Sequence, residues 1–402
     1  MAIDNKDKKV LKSSIEREQN EVACSAECEK IKGSKNLNVP HLRFPEFSGE
    51  WKKCIIQDYG EVITGNTPPT NNAEYYNNGS YLWASPADLG TGKKINDTKT
   101  KLSESGFKKT RIIPKGSILV TCIGSTIGKI GMAVETMSSN QQINSIIVNE
   151  KSNNDFVYYA ISRAFPRYLS EVGVQAVPIL SKSNFEKLPN YTTSIEEQDK
   201  TGYFLNLLDE RIATQNKIID KLQSLIKGIA QNIVSNNNPN IRLSDCLDCS
   251  SSTLQESDVC ETGIYPVYGA NGIVGYLDNY NTEGEAVYII KDGSGVGTVS
   301  YATGKCSATG TLNTLQAKDG YSLQYLYYIL KVFNFEPYKT GMAIPHIYFK
   351  DYGKAKIFCP SYTEQLRYAR LQSAIDSKLS VEKNILTSLS SQKQYLLRQM
   401  FI

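Results

Sequence analysis

Two glycine-rich segments contain residue types that could hold a phosphate or a nucleotide. Residues 124–130 read GSTIGKI, and residues 292–297 read DGSGVG. A phosphate loop of the Walker type needs four residues between its glycines, whereas Gly124 and Gly128 enclose three, and Ile130 stands where a hydroxyl would hold Mg²⁺. A nucleotide loop must also open a helix, but the residues after both segments are typical of strands. We therefore predict two turns between strands.

A single Cys-x-x-Cys motif, formed by Cys246 and Cys249, could contribute to a zinc site. Zinc needs a second pair at suitable spacing, and the sequence has none. With only two histidines, His41 and His346, a three-histidine metal site is also excluded. The odd number of cysteines, without an apolar N-terminal segment, favours reduced thiols in a cytoplasmic protein. No apolar run is long enough to span a membrane, so we expect no metal site and no membrane contact.

Residues 91–115 contain eight Lys or Arg but only two Asp or Glu, although the whole chain has a net charge of only +4. Contact with DNA phosphates requires such a basic stripe, and the alternative is a solvated loop. The second half of the chain has no equivalent stripe, because residues 241–290 are acidic. Its candidate recognition segment is 265–272 (YPVYGANG), a turn whose polar groups suit base edges or backbone.

We predict that polar and basic side chains near the glycine turns contact DNA. In the first half they are Asn66, Thr67, Lys93, Lys94, Lys99, Lys101, Lys108, Lys109, Arg111, Asn140 and Gln141. In the second half they are Tyr268, Asn271, Lys291, Ser294 and Thr311. For each residue the alternative is an ordinary exposed loop. The bases read cannot be derived, since pairing of side chains with bases depends on docking geometry.

An internal repeat organises the elements that position these loops. An offset of 167 residues pairs Glu197-Gln198 with Glu364-Gln365, Leu208-Asp209 with Ile375-Asp376, and Tyr158 with Tyr325. Further upstream an offset of 169 pairs Gly124 with Gly293, Gly128 with Gly297, and Asn144 with Asn313. Such a long period indicates two copies of a whole domain with an appended helix.

Each repeat ends in a helix whose apolar residues follow the heptad spacing of a coiled coil. The residues predicted to pair the two helices are Leu208, Ile212, Ile219, Leu222, Ile226 and Ile229 in the first and Ile375, Leu379, Leu386, Leu389 and Leu396 in the second. Gln215 and Glu382 occupy the same repeat position in this seam. The first helix is about 60 Å long, but the linker 236–240 reaches only about 17 Å. An antiparallel pair with a globular domain at each end satisfies both lengths.

The predicted fold class is α+β, with two mixed α/β recognition domains joined by two long antiparallel coiled-coil helices in a pseudo-two-fold repeat. The expected boundaries are a mobile N-terminal extension at 1–37, a first recognition domain at 38–193, a first helix at 194–237, a second recognition domain at 238–360, and a second helix at 361–402.

Several segments together resemble the specificity (S) subunits of bacterial type I restriction-modification enzymes. They are 38–51 (NVPHLRFPEFSGEW), 265–272, the two Glu-Gln pairs and 396–401 (LLRQMF). The resemblance implies a non-catalytic DNA reader of a bipartite, asymmetric site, with partners that are double-stranded DNA, two methyltransferase (M) subunits and, through them, restriction (R) subunits. It also implies that S-adenosylmethionine and ATP with Mg²⁺ are bound by the partner subunits and that this chain binds no cofactor.

Two other classes of protein remain open at this stage. One is a structural coiled-coil adaptor with protein-binding heads, and the other is a self-contained DNA-modifying enzyme. The enzyme would need a nucleotide loop followed by a helix, which neither glycine-rich segment provides. The adaptor would lack the steep salt dependence of phosphate binding.

Overall fold

The computed structural model describes residues 37–171, 179–341 and 344–402. These residues form two compact units. The first contains the chain up to Arg211 together with Leu389–Ile402, and the second is Ile212–Ser388. Apart from Leu37, the N-terminal extension expected at 1–37 lies outside the described residues.

The first unit contains most of the strands that precede the first long helix. They are β1 (Lys52–Ile55), β2 (Gly60–Thr64), β3 (Tyr81–Ala84), β4 (Lys94–Ile95), β5 (Thr100–Leu102), β6 (Ile118–Thr121), β7 (Ile130–Ala133), β8 (Ser138–Ser139), β9 (Ile143–Val148) and β10 (Pro189–Thr192). The helices are α1 (Glu104–Phe107), α2 (Asn154–Glu171), α3 (Lys182–Glu186) and α4 (Ile195–Ser235), with 3-10 turns at Ile56–Tyr59 and Ala73–Tyr75. The largest sheet has the order β2-β9-β6-β7-β4, beside β5-β3-β8 and the pair β1-β10.

The second unit begins within α4. Its strands are β11 (Ile241–Arg242), β12 (Leu247–Ser251), β13 (Tyr265–Gly269), β14 (Gly272–Leu277), β15 (Glu285–Ile290), β16 (Val299–Thr303), β17 (Ser307–Ala308), β18 (Leu312–Ala317) and β19 (Lys356–Ile357). Its helices are α5 (Leu243–Cys246), α6 (Leu323–Leu330), α7 (Phe349–Tyr352) and most of α8 (Tyr362–Met400), with 3-10 turns at Glu256–Asp258 and Glu336–Tyr338. The sheets have the orders β12-β18-β15-β16, β14-β13-β17 and β11-β19.

The two units repeat one arrangement of strands, as the internal repeat predicts. The order β2-β9-β6-β7 in the first corresponds to β12-β18-β15-β16 in the second. Each smaller sheet contains one parallel pair, β3 with β8 and β13 with β17. The first unit adds β4 to its main sheet. The expected fold class, with two mixed α/β domains and two long helices, is therefore confirmed.

Both glycine-rich segments form turns between antiparallel strands, as predicted. The first joins β6 to β7 and the second joins β15 to β16. Gly128 and Gly297 have φ of +90° and +91°, a conformation that favours glycine. A Cβ atom at Gly128 would lie 2.6 Å from the Phe165 ring, and one at Gly297 would lie 3.0 Å from Phe335. The glycines are thus explained by backbone conformation and close packing.

The long helices run antiparallel within each unit. In the second unit Gln215 of α4 contacts Glu382 of α8, and eleven residues later Ile226 O accepts a hydrogen bond from Gln372, which lies earlier in α8. In the first unit Asp209 contacts Lys393, with a distance of 2.5 Å between carboxylate and ammonium. Every residue predicted to pair the helices is buried or half-buried. The heptad spacing therefore identified the buried stripe correctly.

The hydrogen bonds correct one detail of the repeat. Tyr159 OH donates to Asp209 at 2.6 Å, and Tyr328 OH donates to the repeat-equivalent Asp376 at 3.3 Å. Tyr159 and Tyr328 differ by 169 residues, so the pairing of Tyr158 with Tyr325 at an offset of 167 is wrong. The change in offset falls after these tyrosines, because the 18 residues of α2 correspond to only 8 in α6.

Candidate nucleic-acid interface

In the second unit, polar loops converge at one edge of the main sheet, which we call the second recognition edge. Lys291, directly after β15, donates from its backbone N–H to Thr311 O at 3.0 Å, and its ammonium lies 3.4 Å from Ser251 Oγ. Thr309 N–H donates to Tyr268 O at 2.9 Å, and the hydroxyls of Thr309 and Thr311 are 2.8 Å apart. Three of the predicted DNA contacts, Tyr268, Lys291 and Thr311, are therefore brought together.

The two remaining predictions in this unit lie on the adjoining turns. Asn271 is exposed at the tip of the β13–β14 hairpin, three residues after Tyr268. Ser294 is exposed in the glycine turn that follows Lys291. Both side chains are thus free of the core and border the second recognition edge.

The first unit has an equivalent edge, which we call the first recognition edge. Thr67 Oγ1 donates to Gln141 Oε1 at 2.5 Å. Asn66 donates to Lys109 O at 2.9 Å and accepts from Arg111 N–H at 2.8 Å, which places the end of the basic segment beside this pair. Arg111 also donates from its guanidinium to Thr64 O at 2.6 Å. The structure therefore groups Asn66, Thr67, Lys109, Arg111 and Gln141.

The opposite ends of the same strands approach the long helices. After β9, Asn153 N–H donates to the side chain of Gln198 in α4 at 3.0 Å. After β18, Ser322 N–H donates to the side chain of Gln365 in α8 at 2.9 Å. Because β9 and β18 begin at the recognition edges and end toward the helices, each edge lies at the end of its sheet away from the helix start.

Lys93 was predicted to read bases, and the structure contradicts this assignment. It is only 7% exposed. Its ammonium lies 2.5 Å from Asp155, 2.9 Å from Asn206 Oδ1 and 3.3 Å from Tyr159 OH. Burial lowers its pKa below the ordinary value despite the neighbouring carboxylate of Asp155. Lys93 therefore links the β-sheet region to α2 and α4 and is not available to DNA.

Asn140 was also predicted as a base reader, and it too is placed in the interior. The residue is 8% exposed. Its Nδ2 donates to Gln142 Oε1 and its Oδ1 accepts from Gln142 N–H, both at 3.0 Å. With both ends of its amide satisfied inside the protein, Asn140 shapes the loop, and the base-reading assignment is wrong.

Local ion pairs reduce the free charge of the basic segment. Lys94 lies 3.6 Å from Glu210 of α4. Lys101 pairs with Asp97 at 2.9 Å, and Lys108 pairs with Glu104 at 2.7 Å. Lys99 and Lys109 are exposed, and neither has an ion-pair partner in the described part of the chain. The stripe is therefore weaker than its composition suggests and most open near Lys109.

Sequence reasoning missed Ser251, Thr309 and Gln142. Cys122 N–H donates to Gln142 O in the same way as Lys291 N–H donates to Thr311 O. The offset of 169 residues that pairs the two glycine turns also pairs Gln142 with Thr311, so the repeat itself contained this signal. Ser251 offered no such signal, because only the fold brings β12 beside Lys291.

The described residues show no arrangement suited to metal binding or nucleophilic catalysis. No cluster of three metal-ligating side chains occurs among residues 37–171, 179–341 and 344–402. Cys246 is fully buried, and burial raises the pKa of its thiol to about 12, so the thiolate is disfavoured. No helix within these ranges is long and apolar enough to cross a membrane.

A family model described as the type I restriction modification DNA specificity domain matches residues 48–224 and 240–391. The specificity subunit of the type I restriction enzyme MjaIX from Methanocaldococcus jannaschii is 30% identical over 43% of this chain and 42% of that protein. The EcoprrI specificity subunit from Escherichia coli is 22% identical over 78% of this chain and 84% of that protein. The chain thus aligns with less than half the length of the first relative.

A solved structure has the same fold. The crystal structure of the S subunit of a type I restriction-modification system from M. genitalium aligns with a TM-score of 0.65 and 19% identity, covering 90% of this chain and 99% of that chain. The family model matches the chain twice, once over each half. On these matches the chain belongs to the type I restriction-modification DNA specificity family.

Proposed function

We propose that this chain is the non-catalytic specificity subunit of a type I restriction-modification complex. Each unit reads one half of a bipartite, asymmetric DNA site, and an unread gap separates the halves. The observation that carries the proposal is the duplicated recognition edge. One backbone frame occurs in both units, but Lys291 and Thr311 stand in the second where Cys122 and Gln142 stand in the first. Equal frames with unlike side chains suit a site whose halves differ in sequence.

The DNA contacts divide into two kinds in this proposal. Lys109 and Arg111 contact phosphates, since a cation attracts the backbone whatever the base sequence. Thr67 and Gln141 in the first unit, and Tyr268, Asn271, Lys291, Ser294 and Thr311 in the second, lie close enough to a groove to read base edges. The outer lysines Lys94, Lys99, Lys101 and Lys108 contribute at most to the long-range field, because three of them already form ion pairs.

The helices provide docking sites for two methyltransferase subunits. Phe204 is 38% exposed and its repeat equivalent Leu371 is 52% exposed, while the equivalent residues Ile218 and Ile385 are both 37% exposed. Exposed apolar side chains at repeat-equivalent positions suit two copies of one partner. S-adenosylmethionine belongs to those subunits, and ATP with Mg²⁺ belongs to restriction subunits that join through them. This chain binds no cofactor of its own.

The test is to express the chain with its methyltransferase subunit and to map methylated adenines in the host DNA. The expected result is one motif of two short unequal blocks with a fixed gap, whereas the chain alone should neither methylate nor cleave DNA nor hydrolyse ATP. Methylation by the isolated chain, or a complex that methylates without sequence preference, would overturn the proposal.

A second experiment tests the docking sites. Ile218→Asp combined with Ile385→Asp should abolish co-purification of the methyltransferase subunit while the chain keeps its melting temperature. Asn216→Asp is the matched control, since it adds a charge at an exposed neighbouring position of α4. Equal co-purification of the double variant and the wild type would exclude these positions as docking contacts.

A further inference from the structure

The segment 344–350 is fixed to the glycine turn of the second recognition edge. Ile347 N–H donates to Lys291 O, and Gly293 N–H donates to Pro345 O, both at 2.9 Å. His346 and Thr340 exchange two backbone hydrogen bonds of 2.9 Å. The Ile347 side chain is fully buried. The backbone of this segment is therefore held in place next to Lys291.

The side chains on either side of Ile347 point away from the core and contact one another. The rings of His346 and Tyr348 are 5.1 Å apart at 70°, and the ammonium of Lys350 lies 5.0 Å from the centre of the Tyr348 ring. Tyr348 is 46% exposed, and Ile344 at the start of the segment is 65% exposed. An imidazole, a phenol and an ammonium thus form an ordered, accessible row.

The hydrogen bond at Nδ1 determines the tautomer of His346. Nδ1 lies 3.2 Å from Ile344 O, and a carbonyl oxygen can only accept, so Nδ1 carries the hydrogen. In the neutral ring Nε2 is then an acceptor. The exocyclic amino groups of adenine and cytosine are the donors that the major groove presents. His346 is chemically suited to one of these two bases.

The first unit has the same frame with different side chains. Leu180 is buried and donates from its N–H to Cys122 O at 2.8 Å, as Ile347 does to Lys291 O. The repeat offset of 167 places Ile179 opposite His346 and Ser181 opposite Tyr348. A constant frame with unlike exposed residues is what two readers of unlike half-sites require.

We infer that the segment 344–350 is a further DNA-contacting element of the second unit. His346 reads an adenine or a cytosine through Nε2, while Tyr348 and Lys350 contact the adjoining sugar-phosphate backbone. This inference rests on the proposed function and extends the second recognition edge beyond the residues already assigned to it.

The experiment uses the full chain in complex with its methyltransferase subunit. Binding is measured to duplex oligonucleotides with the mapped site and with every single-base change in it, at several salt concentrations. His346→Ala should reduce discrimination at one base pair by about 5- to 150-fold, which corresponds to about 1–3 kcal/mol for a specific base contact. Lys350→Ala should weaken binding to all duplexes and lower the slope of log K against log salt by about one.

Matched controls separate these effects from general damage. Lys354→Ala removes an exposed lysine that follows α7, on the side of the chain leading to β19, and should change neither the affinity nor the slope. Ser181→Ala should affect only the other half-site. His346→Gln is a second variant that keeps an acceptor if His346→Ala folds poorly. Melting temperatures report whether each variant is folded.

The outcomes distinguish this inference from the function on which it rests. If both His346 variants keep the wild-type base discrimination, the role of His346 is wrong, although a bipartite motif methylated by the wild type still supports the proposed function. A wild-type complex with no preferred site would overturn both.

Discussion

Gln215 and Glu382 hydrogen-bond to each other within the second unit, although each occupies the position that the 167-residue repeat makes equivalent to the other. The amide of Gln215 also donates to Glu382 O at 3.1 Å. Both residues are less than 9% exposed, and Lys378 lies 2.6 Å from the Glu382 carboxylate. In an antiparallel pair of like helices, residues face their own equivalents only at the centre, so this contact marks the centre of the helix pair.

The first prediction concerns this polar contact in an apolar seam. Gln215→Leu should lower the melting temperature, because the Glu382 carboxylate then faces a side chain that cannot donate to it. Gln215→Leu combined with Glu382→Leu should recover or exceed the wild-type value, since an apolar pair of similar volume needs no desolvated partner. The measurement is thermal denaturation of all three variants including Glu382→Leu. A double variant less stable than Gln215→Leu alone would show that the polar pair stabilises the seam.

The second prediction concerns Arg43 and Glu197 in the first unit. Arg43 donates through two nitrogens to the two oxygens of Glu197, both at 2.7 Å, and Trp51 adds a third bond at 3.2 Å. Arg43→Ala leaves a buried carboxylate without its cation, so we expect a loss of about 3–5 kcal/mol in the free energy of unfolding. Arg43→Lys should lose less, because it keeps the charge but not the two-point geometry. Urea denaturation measures both, and equal losses would argue against the two-point contact.

The third prediction concerns the pH dependence of the same carboxyl. Burial by itself raises the pKa of Glu197, but hydrogen bonds from Arg43, Thr193 and Trp51 outweigh it and hold the pKa below the ordinary value of 4.5. A lowered pKa in the folded state contributes stability above pH 4.5, and this stability disappears as the pH falls through the folded value. Glu197→Gln should therefore unfold less steeply with acid than the wild type. Parallel acid profiles of the two proteins would contradict this.

The fourth prediction contrasts two lysines of the basic segment. Lys93→Met removes the buried ion pair with Asp155 and should lower the melting temperature without changing the salt dependence of DNA binding. Lys109→Ala should leave the melting temperature unchanged and lower the slope of log K against log salt by about one. Reversed results for the two variants would mean that Lys93 becomes exposed when DNA binds.

The fifth prediction concerns the gap between the half-sites. Insertions of four residues after Ile219 and after Ser377 lengthen α4 and α8 at facing points, judged from the contact of Gln215 with Glu382. Four residues are near one helical turn and add about 6 Å. The methylated motif should keep both blocks, and its gap should grow by one or two base pairs at about 3.4 Å each. A changed block sequence with an unchanged gap would refute the role of the helices as a ruler.

The sequence predicted those features that depend on a short period. The buried stripe of α4 and α8 follows from heptad spacing, and the glycine turns follow from strand-like residues on both sides. Lys93 could not be predicted, because Asp155 and Asn206 approach it only through the fold and the local composition around it is that of a DNA-binding loop. The choice between Tyr158 and Tyr159 failed for a related reason, since adjacent residues of a helix point about 100° apart.

The first unit is completed by residues that are synthesised after all the others. Phe401 lies 5.8 Å from the Trp51 ring and 5.2 Å from Phe156, and Leu42 N–H donates to Gln399 O at 2.9 Å. The segment 37–211 leaves the ribosome long before Leu389–Ile402, so the aromatic cluster around Trp51 stays open until translation has passed the second unit. Interrupted synthesis therefore yields a chain whose N-terminal unit cannot close its core, and such a chain exposes apolar surface that quality control can recognise.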